Sequence, residues 1–315
     1  MIRIGIQSQN IVYDENPLKG FELLKNCNFD CCDFSLNSYL KNTLLYKNQC
    51  NDFFDKSISE LESYFFYHKK GASDASVTIN QIHMPYPVFI PGISNELNDY
   101  LISNVAPKSM AVCHFFNCPY IVVHGLKLAY YLGSEDSEWN ATELFLDTIL
   151  LMAKEMHIVV CIENLYTSIG TKITEGPCCN VNKAVERIDR INDKYRAEVL
   201  GFCFDTGHAN LVGLDFEEFI TKLDYRLKVL HIHDNDGVSD LHQIPFTFTK
   251  TRENTSSTDW EGFIRGLRNI KYNGVLSFET APVLSAFPAE MKKDSLQLIS
   301  KIGRYFSDKI TRKEE

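Results

Sequence analysis

The chain has 315 residues, 44% of them hydrophobic and 23% charged, and carries a net charge of −9 with histidine counted neutral. That length suits one large barrel domain or two ordinary ones, and no apolar run approaches the roughly 20 residues of a membrane span. An acidic balance repels polyphosphate backbones and so disfavours tight electrostatic binding of nucleic acid.

The ten cysteines show no zinc-type Cys-x-x-Cys spacing. Cys31-Cys32 and Cys178-Cys179 are vicinal pairs, and Cys161 and Cys203 fall inside apolar runs. Buried free thiols in a reducing compartment are the expected state.

The first residues, Ile2-Arg3-Ile4-Gly5-Ile6, read as a strand. They lack the basic, apolar, small-residue order of a signal peptide, and a cytoplasmic location is expected. Further strands are predicted to start near Cys31, Thr78, Tyr120, Ile158, Leu200, Lys228 and Gly274. Helical periodicity fills the gaps at 17–27, 53–68, 95–116, 138–156, 180–191, 215–223, 259–267 and 290–306. Pro107 imposes a kink or a restart on the third of these. Asn180, Asp215 and Asp259 are expected N-caps. Eight strands alternating with eight helices predict an α/β fold, a (β/α)₈ TIM barrel forming a single domain over residues 1–315. A doubly wound open sheet is the competing fold, but it would favour a Gly-rich first turn, which is absent. The charged tail, 308–315, is expected to fray.

Several strand patterns end in residues that bind metals or move protons. They are Ile82-His83-Met84-Pro85, Val122-Val123-His124-Gly125, Cys161-Ile162-Glu163-Asn164, Phe204-Asp205-Thr206-Gly207-His208, Leu230-His231-Ile232-His233-Asp234 and Leu276-Ser277-Phe278-Glu279. In a parallel barrel the C-terminal strand ends build the site. Side chains two apart share a face, so His231 and His233 point the same way. Mixed carboxylate and imidazole donors suit a divalent cation: Mn²⁺ or Mg²⁺ for the carboxylates, Zn²⁺ as imidazoles are added.

The motifs Ile162-Glu163-Asn164, Asp205-Thr206-Gly207-His208-Ala209-Asn210, His231-Ile232-His233-Asp234-Asn235-Asp236-Gly237, Asp240-Leu241-His242, Asp259-Trp260 and Phe278-Glu279 occur in an order that resembles the xylose-isomerase-like TIM-barrel superfamily. That group includes sugar and sugar-phosphate isomerases and epimerases, and endonuclease IV. The resemblance runs from about Ile4 to Phe306. It implies one metal held by Glu163, Asp205, His233 and Glu279. His233 is preferred to His231 because the family ligand precedes a short step ending in an acidic residue. Glu163 and Glu279 would also be the catalytic acid and base. His83, His124, His208, His231, Asp240 and His242 are candidate further metal or substrate contacts.

The resemblance breaks after His242. Relatives have a Pro-Gly-Glu-Gly turn there, whereas this chain carries a longer, glycine-free segment at 243–258. That departure leaves the roles of Asp240 and His242 open and suggests a substrate-covering loop. Lys250 and Arg252 are weak candidates for substrate contacts, and Lys127 and Lys172 could hold a terminal phosphate. Tyr86, Phe89, Tyr130 and Tyr131 could wall a sugar pocket.

The implied function is a divalent-metal-dependent isomerase or epimerase of a sugar, sugar phosphate or related keto compound. Proton transfer would pass between two glutamates through an enediolate. The alternative is an endonuclease IV-like zinc phosphodiesterase acting on abasic DNA, and a third is a non-enzymatic ligand-binding barrel. The expected partner is a small carbohydrate, with no membrane partner, nucleic acid disfavoured, and the homo-oligomeric state open.

Overall fold

The structure is a computed structural model that describes residues 1–128, 135–250 and 255–312. Eight parallel strands form the sheet: β1 (Arg3–Gln7), β2 (Cys31–Ser35), β3 (Thr78–His83), β4 (Tyr120–His124), β5 (Val159–Glu163), β6 (Leu200–Asp205), β7 (Leu227–His231) and β8 (Val275–Phe278). Neighbours in sequence are neighbours in the sheet, and β8 pairs with β1. The last seam, between β7 and β8, is joined by a single bridge from Ile232 to Phe278. There the Ile232 amide donates to the Ser277 carbonyl at 2.9 Å, and the Glu279 amide donates to the Ile232 carbonyl at 3.0 Å. The barrel is thereby closed, as the sequence predicts, and the strand starts fall within one residue of expectation.

Alternation along each strand sorts the interior from the outer layer. Ile121 and Val123, Val160 and Ile162, and Phe202 and Phe204 belong to one continuous core with helix residues such as Phe65, Leu146, Ile188, Phe219 and Phe263. Their neighbours Val122, Cys161, Cys203 and Val229 form a separate small cluster inside the barrel. Each fully buried Phe or Leu of the outer layer stabilises by about 1.5–3 kcal/mol. Phe65→Ala, which would empty a site 0% exposed, would cost about 3–5 kcal/mol.

The helices start where polar caps dictate. Asn180, Asp215 and Asp259 accept from the amides of Lys183, Glu218 and Gly262. The pattern at 53–68 divides into a short 3₁₀ turn, Phe53–Asp55, and a helix, Ile58–Asp74, because Ser57 and Glu60 form a reciprocal capping box. The expected break at Pro107 takes the form of a π-helical turn, Leu101–Val105, between helices Asn95–Tyr100 and Ala106–Phe115. Proline has no N–H to give the preceding turn, and the widened turn absorbs that loss. The stretch at 138–156 is two helices, Glu135–Asp147 and Leu150–Met156. The tail expected to fray from Asp308 instead stays helical to Thr311. Ile310 is buried there and the Lys309 carbonyl accepts from Arg268 at 2.7 Å. Among the described residues no helix is long and apolar enough to cross a membrane. All ten cysteines are free thiols, nine of them buried and Cys50 exposed.

Candidate active site

The inward-facing register places one ionisable residue at the top of each of several strands. His124 ends β4, Glu163 ends β5, Asp205 ends β6 and His231 ends β7, each two residues beyond a member of the apolar interior cluster. Glu279 follows β8 directly, and His83 ends β3. The strand ladder fixes these backbones, so their side chains converge without help from loops.

Glu163 is 1% exposed and sits at the centre. Its Oε1 lies 3.0 Å from His231 Nδ1 and 3.5 Å from His208 Nδ1. Its Oε2 lies 3.2 Å from His124 Nε2 and 3.6 Å from His83 Nε2. Asp205 Oδ1 caps the helix Thr206–Val212 by accepting from the His208 amide at 2.6 Å. Its Oδ2 lies 3.1 Å from His233 Nε2 and 4.0 Å from His231 Nδ1. Glu279 Oε2 lies 3.5 Å from His231 Nδ1 and 3.7 Å from His242 Nδ1.

The two histidines face different partners. His231 Nδ1 faces all three carboxylates, whereas His233 Nε2 sits against Asp205 and Asp240. β7 ends at His231, Ile232 still bridges to Phe278, and the His233 ring stacks on His242 with ring centres 3.9 Å apart. Gly207 makes room for this ring, since a Cβ there would lie 1.9 Å from His233 Cε1.

Asp240 and His242 join the cluster despite the altered turn that follows them. Asp240 Oδ2 lies 3.2 Å from His242 Nε2 and 3.5 Å from His208 Nε2. The segment beyond is moored by buried Asp234, which accepts from the Thr247 amide at 3.0 Å and from the Thr258 hydroxyl at 2.5 Å. Lys250 lies in a short antiparallel pair, Thr249–Lys250 with Thr255–Ser256, and is not among the described residues lining the cleft. Arg252, Tyr130 and Tyr131 lie outside the described residues. Lys172 is exposed on a surface hairpin, while Lys127 lines the cleft.

Three features escaped the sequence. The first is Asp33 on β2, 2% exposed, whose Oδ2 lies 3.2 Å from His231 Nε2 and accepts from Gln81 at 3.0 Å. Asp33 holds one ring nitrogen of His231 and turns the other toward Glu163 and Glu279, the usual arrangement behind a histidine ligand. The second is Asn164, which donates to the Asp205 carbonyl and accepts from the Asp205 amide, both at 2.9 Å, locking two strand ends together. The third is a hairpin of Tyr166–Ile169 with Lys172–Glu175 over the β5 end. Its signals were present: a lone carboxylate inside Cys31-Cys32-Asp33-Phe34, and alternation about Gly170, which takes φ 62°.

Above the cluster opens a cleft of about 440 Å³. Its walls include Tyr86, stacked on His124 at 4.4 Å, together with Phe89 and Tyr166. Burial opposes charge on Glu163, Glu279 and His242, and the dense pairing overrides it. Burial raises the Glu163 carboxyl, yet the neighbouring imidazoles of His231, His124 and His208 hold it well below the usual range. Glu279 is likewise held down to about 2, by His231 and then His242, against its burial. For His242, burial is outweighed by Asp240 and Glu279, and its pKa rises to about 9. His124 is the exception, since burial prevails and lowers it.

Such a crowd of buried carboxylates calls for positive charge, which either imidazolium protons or a divalent cation can supply. The donors fit a cation. Glu163 Oε2, His233 Nδ1 and Asp240 Oδ1 are buried without a hydrogen-bond partner. Adjacent triplets of ligand atoms, among them Glu163–Asp205–His208, His83–His231–Glu279 and His233–His242–Glu279, lie within 4.8 Å of one another. Imidazole and carboxylate together suit zinc, manganese or magnesium.

Solved structures of similar fold include a D-tagatose 3-epimerase-like protein (18% identical, TM-score 0.66, covering 98% of each chain). Another is the 3-keto-D-glucoside 4-epimerase of E. coli (16% identical, TM-score 0.65, covering 96% of this chain and 100% of that one). A third is the D-allulose 3-epimerase of Methylomonas sp. in complex with D-allulose (13% identical, TM-score 0.66, covering 98% of each chain). Among curated sequences, an uncharacterized protein of Sinorhizobium fredii is 27% identical over 38% of this chain and 35% of its own length. An uncharacterized protein of Methanocaldococcus jannaschii is 24% identical over 63% of this chain and 65% of its own. The chain thus spans less than two thirds of the length of either curated relative. The family described as "xylose isomerase-like TIM barrel" matches residues 72–302, and with the closed barrel and its strand-end cluster already in place, the chain belongs to that family.

Proposed function

We propose that the protein is a divalent-metal-dependent isomerase or epimerase of a sugar or related keto compound. The observation that carries this reading is the pair Glu163 and Glu279. They come from different strands, and their carboxylates approach the same His231 nitrogen, at 3.0 and 3.5 Å, on the floor of one cleft. Glu163, Asp205, His231 and Glu279 would hold the ion, with His231 taking the place expected for His233. When bound, a divalent cation supplies Lewis acidity to the negative charge that develops as a proton leaves carbon.

The remaining roles belong to the chain. One glutamate removes the proton from the substrate carbon and the other returns one, from the opposite face for epimerisation. Asp205, through its cap on the following helix, keeps His208 at the rim, where it can hold a substrate oxygen. Tyr86 and Phe89 offer apolar faces to a sugar ring, and the hairpin with Tyr166 restricts water. The likeness to epimerases of D-allulose and of a 3-keto-glucoside supports this substrate class.

A second reading, a multi-zinc phosphodiesterase, draws on the adjacent ligand triplets. Against it, Lys127 is the single Lys or Arg among the described residues lining the cleft, a poor match for a nucleic-acid backbone. One experiment separates the two. Protein stripped with chelator and reloaded with Mn²⁺, Mg²⁺ or Zn²⁺ is incubated with a panel of ketoses and keto-sugars in D₂O. Metal-dependent deuterium incorporation at carbon is expected. Nicking of abasic DNA with no exchange on any sugar would overturn the proposal.

A further inference from the structure

A second cleft, of about 520 Å³, opens beside the first and is lined by the segments following β1 and β2. Both clefts lie at the C-terminal end of the barrel, and Asn42 borders both. The strand-end cluster contributes nothing to this second space, so the chemistry described above leaves it unexplained. Either volume alone falls within the roughly 300–1,000 Å³ of small-molecule sites.

The walls define the kind of ligand. They are rich in neutral hydrogen-bonding side chains, notably Asn37, Asn42 and Thr43, with exposed Tyr13 supplying an aromatic face. Asn37 is only 9% exposed, and its Oδ1 has no hydrogen-bond partner. A buried amide oxygen without a partner costs about 1–3 kcal/mol unless something else satisfies it. The charged lining residues are Asp14, Glu15 and Lys41, a net negative set that disfavours phosphate or carboxylate. One wall is rigid: the Tyr39 and Tyr64 hydroxyls both donate to Asp14 at 2.7 Å, and His68 Nε2 lies 2.9 Å from the same carboxylate. An uncharged-ligand cleft with one rigid wall, an unspent buried amide oxygen and an exposed aromatic face matches a polyol ring.

We propose that this second cleft is a binding subsite for a neutral sugar unit, so that the substrate is a disaccharide or other glycoside whose reacting ring lies in the first cleft. The inference rests on the sugar-isomerase reading and narrows its substrate class. Asn37 and Asn42 would hydrogen-bond the second ring, and Tyr13 would stack on it.

The test is saturation-transfer NMR on the full chain with neutral disaccharides of glucose and with their component monosaccharides. Disaccharides are expected to bind at least tenfold more tightly. Thr43→Trp, at an exposed position, fills the cleft, and Asn37→Leu removes the buried amide; each is expected to abolish the advantage. Equal affinity for both sugar classes, or an advantage that survives Thr43→Trp, would overturn the subsite. The reaction has its own readout in deuterium exchange at carbon. Exchange without a disaccharide advantage removes the subsite alone. A Thr43→Trp-sensitive advantage without exchange on any sugar removes the reaction and leaves the subsite standing.

Discussion

The interior of this barrel changes character within a single step of two residues. His124, Glu163, Asp205 and His231 form the upper layer, and Val122, Cys161, Cys203 and Val229 lie directly beneath them on the same strands. Two residues of strand span only about 6.6 Å, yet the upper layer is crowded with charge and the lower one has none. The dry layer below strengthens every electrostatic contact above it. It is also why burial stands first among the influences on His124, Glu163 and His231.

The sharpest way to break this contrast is to neutralise the upper layer. Glu163→Gln and Glu279→Gln are each expected to lower carbon-proton exchange by about 10²–10⁴-fold with an unchanged circular dichroism spectrum. Undiminished deuterium incorporation in both variants would remove these glutamates from the chemistry. The converse change puts charge into the lower layer. Cys203→Asp, at a fully buried position, is expected to destabilise by roughly 3–5 kcal/mol in urea unfolding of the metal-free protein; an unchanged midpoint would show that the lower layer is not dry.

A subtler change tests the support behind the upper layer. Asp33→Asn leaves the ligands intact but loosens His231, and metal affinity measured by calorimetry should fall about 10–100-fold. Asp33→Glu should recover part of that loss, while equal affinity in Asp33→Asn would make Asp33 a packing residue. The smallest effect concerns pH. In the metal-free protein the His242 pKa is raised to about 9 from its ordinary 6.5. Its contribution is therefore complete below pH 6.5 and is lost as pH climbs through 9. The melting temperature should drop between pH 7 and 10, and His242→Asn should make that drop shallower.

The strand ends were legible in the sequence because alternation and strand termination are local properties. Glu163, Asp205 and Glu279 could be placed from the apolar runs before them. The different surroundings of His231 and His233 could not, because Asp33 and Asp240, which meet one ring each, come from distant segments of the chain. Asp33 was hidden for a related reason. A carboxylate in mid-strand looks like an error until the histidine it serves arrives from a position 198 residues away. The hairpin at 166–175 has the right alternation, but its short runs beside a strong strand end drew no attention. Asp240 and His242 showed the opposite case: the following turn departs from the family pattern, yet buried Asp234 moors the segment and keeps them in place.

The single bridge between β7 and β8 has one more consequence. The other seams of the barrel carry between two and five paired residues, while this one joins Ile232 to Phe278. His231 and Glu279 flank it on either side. Local opening of the wall here would part His231 from Glu279, and hydrogen exchange of the Ile232 and Glu279 amides would report it. An ion clasped by both residues would act as the missing stitch, slowing that exchange far more than it slows the rest of the wall.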